Sequence, residues 1–229
     1  MRENGLIKSK RCYEIFRKTD PEWFLDPNSD LNPWDASEIS TMNSEELEEA
    51  ELLKADTWLH SALVVVAILT LVDETKPKRG PVRLLDLGCG SGYMTAILAQ
   101  AIYPGTVVSA DTDAEKVSAA RSVLSRRFEE LMPNIELKCG DAFEKQGERE
   151  SFDIIHVGGA VDEIPKVWVE QLKVGGSVIA AFPDLQNRGE DGPKVGYMLR
   201  RVIKSSAENL LPIDMMVVNY EKLSTPDFS

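Results

Sequence analysis

The sequence has few of the residues on which several common functional sites depend. Its 229 residues include three cysteines and two histidines, which is too few for most metal sites, so we expect no bound metal ion. An odd, sparse number of cysteines favours a reducing compartment, and we expect a cytoplasmic protein. No run of about 18 apolar residues is present and the N-terminus has no apolar signal core, which predicts neither a membrane span nor a secretory signal.

Basic residues are also scarce relative to acidic ones. The chain has 26 Lys and Arg against 38 Asp and Glu, a net charge of -12. Such a chain is poorly suited to neutralise the phosphates of a nucleic acid, so we expect a peptide or small-molecule ligand instead. Much of the acid lies in residues 26–51, which we interpret as a solvated insertion ending in a helix that starts at Asn43. A partner-binding role for this insertion is an open alternative.

From Pro81 onward, short apolar runs alternate with helical patterns. The runs predict strands at 82–87, 106–111, 135–141, 152–159 and 177–182, and the periodic segments predict helices at 92–102, 114–131 and 161–172. A turn is expected at Gly175–Gly176. Strands of this kind, alternating with helices, are typical of a parallel sheet covered on both faces.

Two more extended stretches follow, at 197–204 and 213–220, without a full-length helix between them. They favour an antiparallel pair at the edge of the sheet. The predicted fold class is therefore α/β, with a Rossmann-like, doubly wound, mostly parallel seven-stranded sheet and an N-terminal helical segment. We expect two units, an N-terminal helical and substrate-side segment over residues 1–80 and a ligand-binding domain over residues 81–229.

A glycine-rich turn, within LLDLGCGSGYMTAIL, follows the first predicted strand. Gly88, Gly90 and Gly92 have the spacing G-x-G-x-G, which lacks the lysine of a phosphate-binding P-loop and differs by one residue from the dinucleotide pattern G-x-G-x-x-G. Ligands of doubly wound sheets bind beyond the carboxyl ends of the strands. This turn is therefore a candidate ligand site.

Two acidic residues follow the next two strands. Asp111 ends the second strand, where a carboxylate can bind a pair of ribose hydroxyls, and Asp141 follows the third, where a carboxylate can accept from an adenine amino group. Carboxylates at this mouth would repel a pyrophosphate but suit a ligand with a ribose, a base and a cationic amino-acid tail. That ligand is S-adenosyl-L-methionine. Binding of NAD or FAD, and tight turns capped by aspartates without a ligand, are the alternatives.

The same residues resemble a known family. Asp86, Gly88, Gly90 and Gly92 match the D-x-G-x-G-x-G motif of class I methyltransferases. Longer stretches are similar to the protein-L-isoaspartate O-methyltransferase family: RENGLIKSKRCYEIFRKTD, FDIIHVGGAVDEIPKVWVEQLKVGGSVI and VVNYEKLST. The similarity covers most of the chain apart from residues 26–51.

The resemblance implies a monomeric carboxyl methyltransferase that modifies L-isoaspartyl, and also D-aspartyl, residues in damaged peptides or proteins. S-Adenosyl-L-methionine would be the methyl donor and S-adenosyl-L-homocysteine the product. The implied cofactor-binding residues are Asp86, Gly88, Cys89, Gly90, Gly92, Asp111, Thr112, Asp141, Ala142 and His156. The implied substrate-binding residues are Trp58, Gly158 and Ser224, the last where the family usually has threonine.

The chain departs from the family on the substrate side. The family motif I-S-A-P-H-M-H-A is replaced here by a stretch within LKADTWLHSA, in which Ala55 takes the place of the serine and His60 is retained. We therefore name Thr57 and His60 as the candidate catalytic residues. Two alternatives stay open: a cofactor-binding pseudo-methyltransferase that serves as an interaction module, and a methyltransferase with another acceptor.

Overall fold

A computed structural model describes residues 9–24, 62–77, 80–183, 188–189, 192–193, 196–218, 220 and 223. The predicted insertion at 26–51, with its helix from Asn43, lies outside these residues. Among the helices in the described part of the chain, none has the length and apolar character needed to cross a membrane.

A seven-stranded sheet forms the centre of the protein. Its strands are β1 (Arg83–Leu87), β2 (Thr106–Asp111), β3 (Ile135–Cys139), β4 (Phe152–Ala160), β5 (Leu172–Pro183), β8 (Tyr197–Lys204) and β9 (Leu210–Val218). Their order is β3-β2-β1-β4-β5-β8-β9, with β1 to β5 parallel and β8 and β9 antiparallel. The predicted doubly wound sheet with an antiparallel C-terminal edge is thus confirmed. Two further strands in the described residues, β6 (Arg188–Gly189) and β7 (Gly192–Pro193), pair antiparallel in a separate two-stranded sheet.

Within the described residues, five α-helices accompany the sheet: α1 (Lys10–Lys18), α2 (Ala62–Thr75), α3 (Tyr93–Ile102), α4 (Ala114–Arg127) and α5 (Lys166–Gln171). Short 3₁₀ helices lie at Pro21–Phe24 and Glu129–Asn134. Alternate residues of β1 divide the core, with Leu84 in a cluster that includes α1 to α4 and Leu85 in a second cluster that includes Trp168 of α5. The two faces of the sheet are therefore covered by different helices, as expected for a doubly wound fold.

The N-terminal helix is fastened to the end of α3. The Arg11 guanidinium donates to the carbonyl oxygens of Gln100 and Tyr103 at 3.1 and 3.3 Å, and Gln100 Nε2 donates to Thr19 Oγ1 at 2.8 Å. A cation suits the carbonyl end of a helix, where backbone acceptors have no helical partner.

Two predicted boundaries in the region of α5 are wrong. The helix predicted at 161–172 begins only at Lys166, because Pro165 disfavours helical geometry in the residue before it. The turn predicted at Gly175–Gly176 lies inside β5, where Gly175 has a φ of 86° and the register with β4 shifts. These glycines mark an irregularity in a continuous strand, which is another common use of glycine.

Candidate functional site

The glycine turn joins the end of β1 to the start of α3. The N–H groups of Gly88 and Cys89 donate to the Ala110 carbonyl oxygen of β2 at 2.8 and 3.2 Å, and the Gly92 N–H donates to the Cys89 carbonyl at 2.8 Å. All three glycines have positive φ, at 77° for Gly88, 50° for Gly90 and 86° for Gly92. Residues that carry a side chain rarely adopt a positive φ, so the backbone path of the turn itself requires glycine.

Close packing adds a second reason for two glycines at these strand ends. A Cβ atom on Gly92 would lie 2.9 Å from the Cβ of Ala120 in α4, and one on Gly158 of β4 would lie 2.5 Å from the Gly88 carbonyl oxygen. Part of the glycine requirement, which sequence alone assigns to a ligand, therefore comes from the protein's own packing.

Asp111 ties the ends of β1 and β2 together. Its Oδ2 accepts from the Gly90 N–H at 2.9 Å and its Oδ1 accepts from the Asp113 N–H at 3.0 Å. The side chain is partly exposed, and Thr112 beside it is exposed. The turn and the acid, predicted to share one site, are in direct contact.

The end of β3 supplies the third candidate segment. Asp141 Oδ1 accepts from the Phe143 N–H at 2.9 Å, and the Asp141 side chain is partly exposed. The next residue, Ala142, is buried, and its carbonyl accepts from the Trp168 indole at 2.6 Å. Because β3 adjoins β2, Asp141 and Asp111 lie at the same edge of the sheet as the glycine turn.

A buried polar cluster lies behind this turn. Asp86 is fully buried, with Oδ2 accepting from Thr95 Oγ1 at 2.7 Å and from Ser109 Oγ at 3.0 Å, and Oδ1 2.8 Å from His156 Nδ1. Burial alone would raise the pKa of the Asp86 carboxyl group. The contacts with His156, Thr95 and Ser109 outweigh it and hold that pKa below its ordinary value of 3.8. Asp86 is therefore ionised at neutral pH, with both oxygens engaged inside the protein.

These contacts give Asp86 and His156 a different place from the other predicted ligands. The His156 side chain is 1% exposed and belongs to the same buried cluster, so both side chains support the turn from behind. Sequence reasoning missed Thr95 and Ser109. The available signal was a serine within the apolar strand TVVSAD, because a buried hydroxyl needs a hydrogen-bond partner.

Cys89 completes the turn as a packing residue. It is 5% exposed, and burial, with the charges of Asp86 and Asp111 adding to it, raises the pKa of its thiol. A protonated, buried thiol is a poor nucleophile, so Cys89 contributes shape and backbone atoms to the site.

Leu223, after β9, lies at the carboxyl ends of β1 and β4. The Leu223 N–H donates to the Ala160 carbonyl at 2.8 Å, and Leu223 Cδ1 lies 3.2 Å from where a Cβ of Gly88 would be. Burial and the charge of Asp86 raise the pKa of the Tyr220 hydroxyl. Tyr220 therefore stays neutral and packs against the apolar cluster of α1 to α4.

The remaining predicted site residues, Thr57, Trp58, His60 and Ser224, lie outside the described residues. Within the described residues, no group of three or more His, Cys, Asp or Glu side chains is placed to hold a metal ion.

Comparison with protein families gives a match over most of the chain. The model of "Protein-L-isoaspartate(D-aspartate) O-methyltransferase (PCMT)" matches residues 1–189. A protein-L-isoaspartate O-methyltransferase of Cronobacter sakazakii is 27% identical over 181 residues, which is 79% of this chain and 76% of that protein. One of Thermotoga maritima is 35% identical over 99 residues, which is 42% of this chain and only 30% of the relative's length.

Solved structures share the fold. A protein-L-isoaspartate O-methyltransferase of Plasmodium falciparum, in complex with S-adenosyl-L-homocysteine, has a TM-score of 0.68 and 18% identity, and covers 97% of this chain and 94% of that one. A second protein-L-isoaspartate O-methyltransferase has a TM-score of 0.65 and 21% identity, covering 97% of this chain and 63% of that one.

Proposed function

We propose that this chain, which belongs to the protein-L-isoaspartate(D-aspartate) O-methyltransferase family, transfers a methyl group from S-adenosyl-L-methionine to the α-carboxylate of L-isoaspartyl, and also D-aspartyl, residues in damaged proteins. The single observation that carries the proposal is the contact between the turn and the acid: Gly90 N–H to Asp111 Oδ2, at 2.9 Å, at the carboxyl edge of the sheet. That edge is where doubly wound sheets bind their ligands.

The residues at this edge fit S-adenosyl-L-methionine. We propose that Asp111 accepts from the ribose hydroxyls, and that Asp141, at the next strand end, accepts from the adenine amino group. The turn over Gly88, Cys89, Gly90 and Gly92 passes beneath the ligand, with Thr112 and Ala142 flanking it. We assign Asp86 and His156 the role of holding this turn from within. When bound, the cofactor supplies a methyl group on a sulfonium, which is a good leaving group.

Methyl transfer to a carboxylate does not require the protein to activate the acceptor. A carboxylate is ionised at neutral pH and is already a nucleophile, so the chain need not supply a general base. The chain's contribution is to align the acceptor oxygen with the methyl group and to exclude water. This role is consistent with Cys89 and Tyr220, whose raised pKa values keep them neutral near the site.

Further parts of the proposal concern the acceptor side and the setting. Thr57 and His60 are the proposed catalytic residues, and Trp58, Gly158 and Ser224 the proposed substrate-binding residues. Residues 1–80 would form the substrate-side segment and residues 81–229 the cofactor domain. We propose a cytoplasmic monomer that acts on peptides and proteins, not on nucleic acids, which the net charge of -12 supports.

Methyl transfer from labelled S-adenosyl-L-methionine to an isoaspartyl peptide, compared with its aspartyl twin, tests the proposal. Transfer to the isoaspartyl peptide alone is expected. Cofactor binding without transfer to either peptide would overturn the acceptor assignment and favour another acceptor or a binding role. Absence of cofactor binding by the folded chain would overturn the whole proposal.

A further inference from the structure

Residues 141–147 follow β3, and we call them the post-β3 loop. This loop is held by side chains of helix α5. Trp168 of α5 is fully buried and its indole N–H donates to the Ala142 carbonyl oxygen at 2.6 Å. The same indole ring stacks on Phe143, with ring centroids 5.9 Å apart and planes 22° apart. The two residues after Asp141 are therefore fixed by a single side chain.

A second side chain of α5 holds the far end of the loop. Gln171 is 1% exposed, and its Oε1 accepts from the N–H groups of Gln146 and Gly147 at 2.7 and 2.6 Å. Gln146 Nε2 in turn donates to the Asp141 carbonyl oxygen at 2.6 Å. The contact thus passes from Gln171 through Gln146 to the backbone of Asp141.

The helix that makes these contacts is itself tethered. Lys204 of β8 is 3% exposed, and its ammonium group donates to the carbonyl oxygens of Val169 and Leu172 at 2.9 and 2.7 Å. Glu150 lies 3.5 Å from the same ammonium group. The C-terminal end of α5 therefore has a fixed position relative to the sheet.

These contacts concern Asp141, which follows β3, and β3 is an edge strand of the sheet. Asp141 Oδ1 is bound to the Phe143 N–H within the loop, so the direction of its carboxylate depends on the path of residues 141–143. That path is set by Trp168 and, through Gln146, by Gln171.

We propose that Trp168 and Gln171 are positioning residues that aim the Asp141 carboxylate at the adenine amino group and thereby set the cofactor's base selectivity. The inference rests on the proposed function, because it takes the adenosyl cofactor as the ligand. It predicts that loss of the indole N–H changes how well the protein distinguishes a purine with a 6-amino group from one without it.

The experiment measures binding of two ligands to the full-length chain by calorimetry: S-adenosyl-L-homocysteine, and its purine analogue with hydrogen in place of the 6-amino group. The variant is Trp168→Phe, which keeps a ring on Phe143 but removes the donor. Wild type is expected to prefer the amino ligand, and the variant to bind that ligand about tenfold more weakly while binding of the analogue is unchanged. The ratio of the two dissociation constants therefore falls towards one.

Trp23→Phe is the matched control. Trp23 lies in the 3₁₀ helix Pro21–Phe24, against Phe128 and beneath Arg127, away from the post-β3 loop. The same loss of an indole N–H there is expected to leave both dissociation constants unchanged.

The outcomes separate the inference from the function on which it rests. If Trp168→Phe bound both ligands more weakly by the same factor, or left the ratio of the two dissociation constants unchanged, the inference alone would be overturned. Wild-type protein that binds both ligands equally would overturn the Asp141 contact and the inference with it. Wild-type protein that binds neither ligand would overturn the proposed cofactor.

A pair of variants at Gln171 gives an independent measurement if Trp168→Phe unfolds. Gln171→Leu removes the acceptor for two loop N–H groups and is expected to lower the selectivity ratio. Gln171→Glu keeps an acceptor oxygen and is expected to retain most of the wild-type selectivity ratio. A ratio that is the same in both variants would contradict a positioning role for Gln171.

Discussion

Two carboxylates lie near the carboxyl ends of the parallel strands, one in a buried inner layer and one in a partly exposed outer layer, and their surroundings differ. In the inner layer, Asp86 is enclosed by Thr95, Ser109 and His156. In the outer layer, Asp111 is partly exposed and accepts from the backbone N–H groups of Gly90 and Asp113. The difference arises from position: Asp86 is the penultimate residue of β1 and points into the α3 layer, whereas Asp111 is the last residue of β2 and stands at the mouth.

The comparison separates stability from binding. A buried, ionised carboxylate with three side-chain partners contributes to folding, and its loss removes the acceptor on which all three converge. A carboxylate at an open strand end has hydrogen-bonding capacity that a ligand can use. Substitutions in the inner layer should therefore change the free energy of unfolding, and those in the outer layer should change the cofactor's dissociation constant.

The largest effect is expected from Asp86→Ala. Removal of the carboxylate from this buried hydrogen-bond network should lower the free energy of unfolding by about 3–5 kcal/mol. Urea denaturation followed by circular dichroism measures it. The matched control is Asp113→Ala, which removes a carboxylate that caps α4 and should cost only about 1 kcal/mol. Similar losses in both variants would remove the distinction between the layers.

Gly90→Val is expected to be next in size and to act on binding. Valine is strained at the φ of 50° found here, and under the proposed function its branched side chain would occupy the ligand's approach path. Affinity for S-adenosyl-L-homocysteine should fall on the order of a hundredfold in calorimetry. Gly80→Val is the control, since Gly80 has a φ of 86°, open space around it and a position before β1. Normal affinity in Gly90→Val would show that the site is misplaced.

Asp111→Asn tests the outer layer more gently. The amide can replace only one carboxylate oxygen as an acceptor and carries no charge, so a backbone N–H or a ribose hydroxyl loses its acceptor. The cofactor's affinity should fall about tenfold, with a change of less than about 1 kcal/mol in the free energy of unfolding. Glu115→Gln, in the first turn of α4, makes the same charge change nearby and should leave affinity unaltered. A large loss of stability in Asp111→Asn would place Asp111 in the inner layer.

Sequence alone predicted the outer layer better than the inner one. Spacing along the chain gives strand ends, and the ends of adjacent parallel strands meet at one edge, so Gly90 and Asp111 could be paired in advance. Asp86 belongs to the same motif as the glycines, but its buried contacts are with Thr95 and His156, which lie 9 and 70 residues away in the sequence. Contacts of that kind are fixed by packing and have no local pattern.

Prediction of the fold from sequence also failed where the structure is irregular, at the short helix α5 and at the glycines inside β5. All seven strands of the sheet were predicted, the five parallel ones from short apolar runs and the edge strands β8 and β9 as extended stretches. The short α5 and the glycines inside β5 were mispredicted because a proline and a bulge change the path without changing the apolar pattern. Trp168 lies in the predicted helix 161–172, yet its hydrogen bond to Ala142 joins two elements that are 26 residues apart in the sequence and has no local pattern.

The smallest effect, and a specific one, is the acid dependence of stability. The folded-state pKa of Asp86 lies below its ordinary value of 3.8, so above about pH 4 the carboxyl group is ionised in both states and its contribution is fully present. As the pH falls from about 4 through the lower folded-state pKa, the unfolded chain takes up the proton first and that contribution is lost. The free energy of unfolding of wild type should therefore fall below pH 4 more steeply than that of Asp86→Asn, by at most about 1.4 kcal/mol per pH unit. Parallel curves, from urea denaturation at several pH values, would show that the inner carboxylate is not held ionised by His156, Thr95 and Ser109.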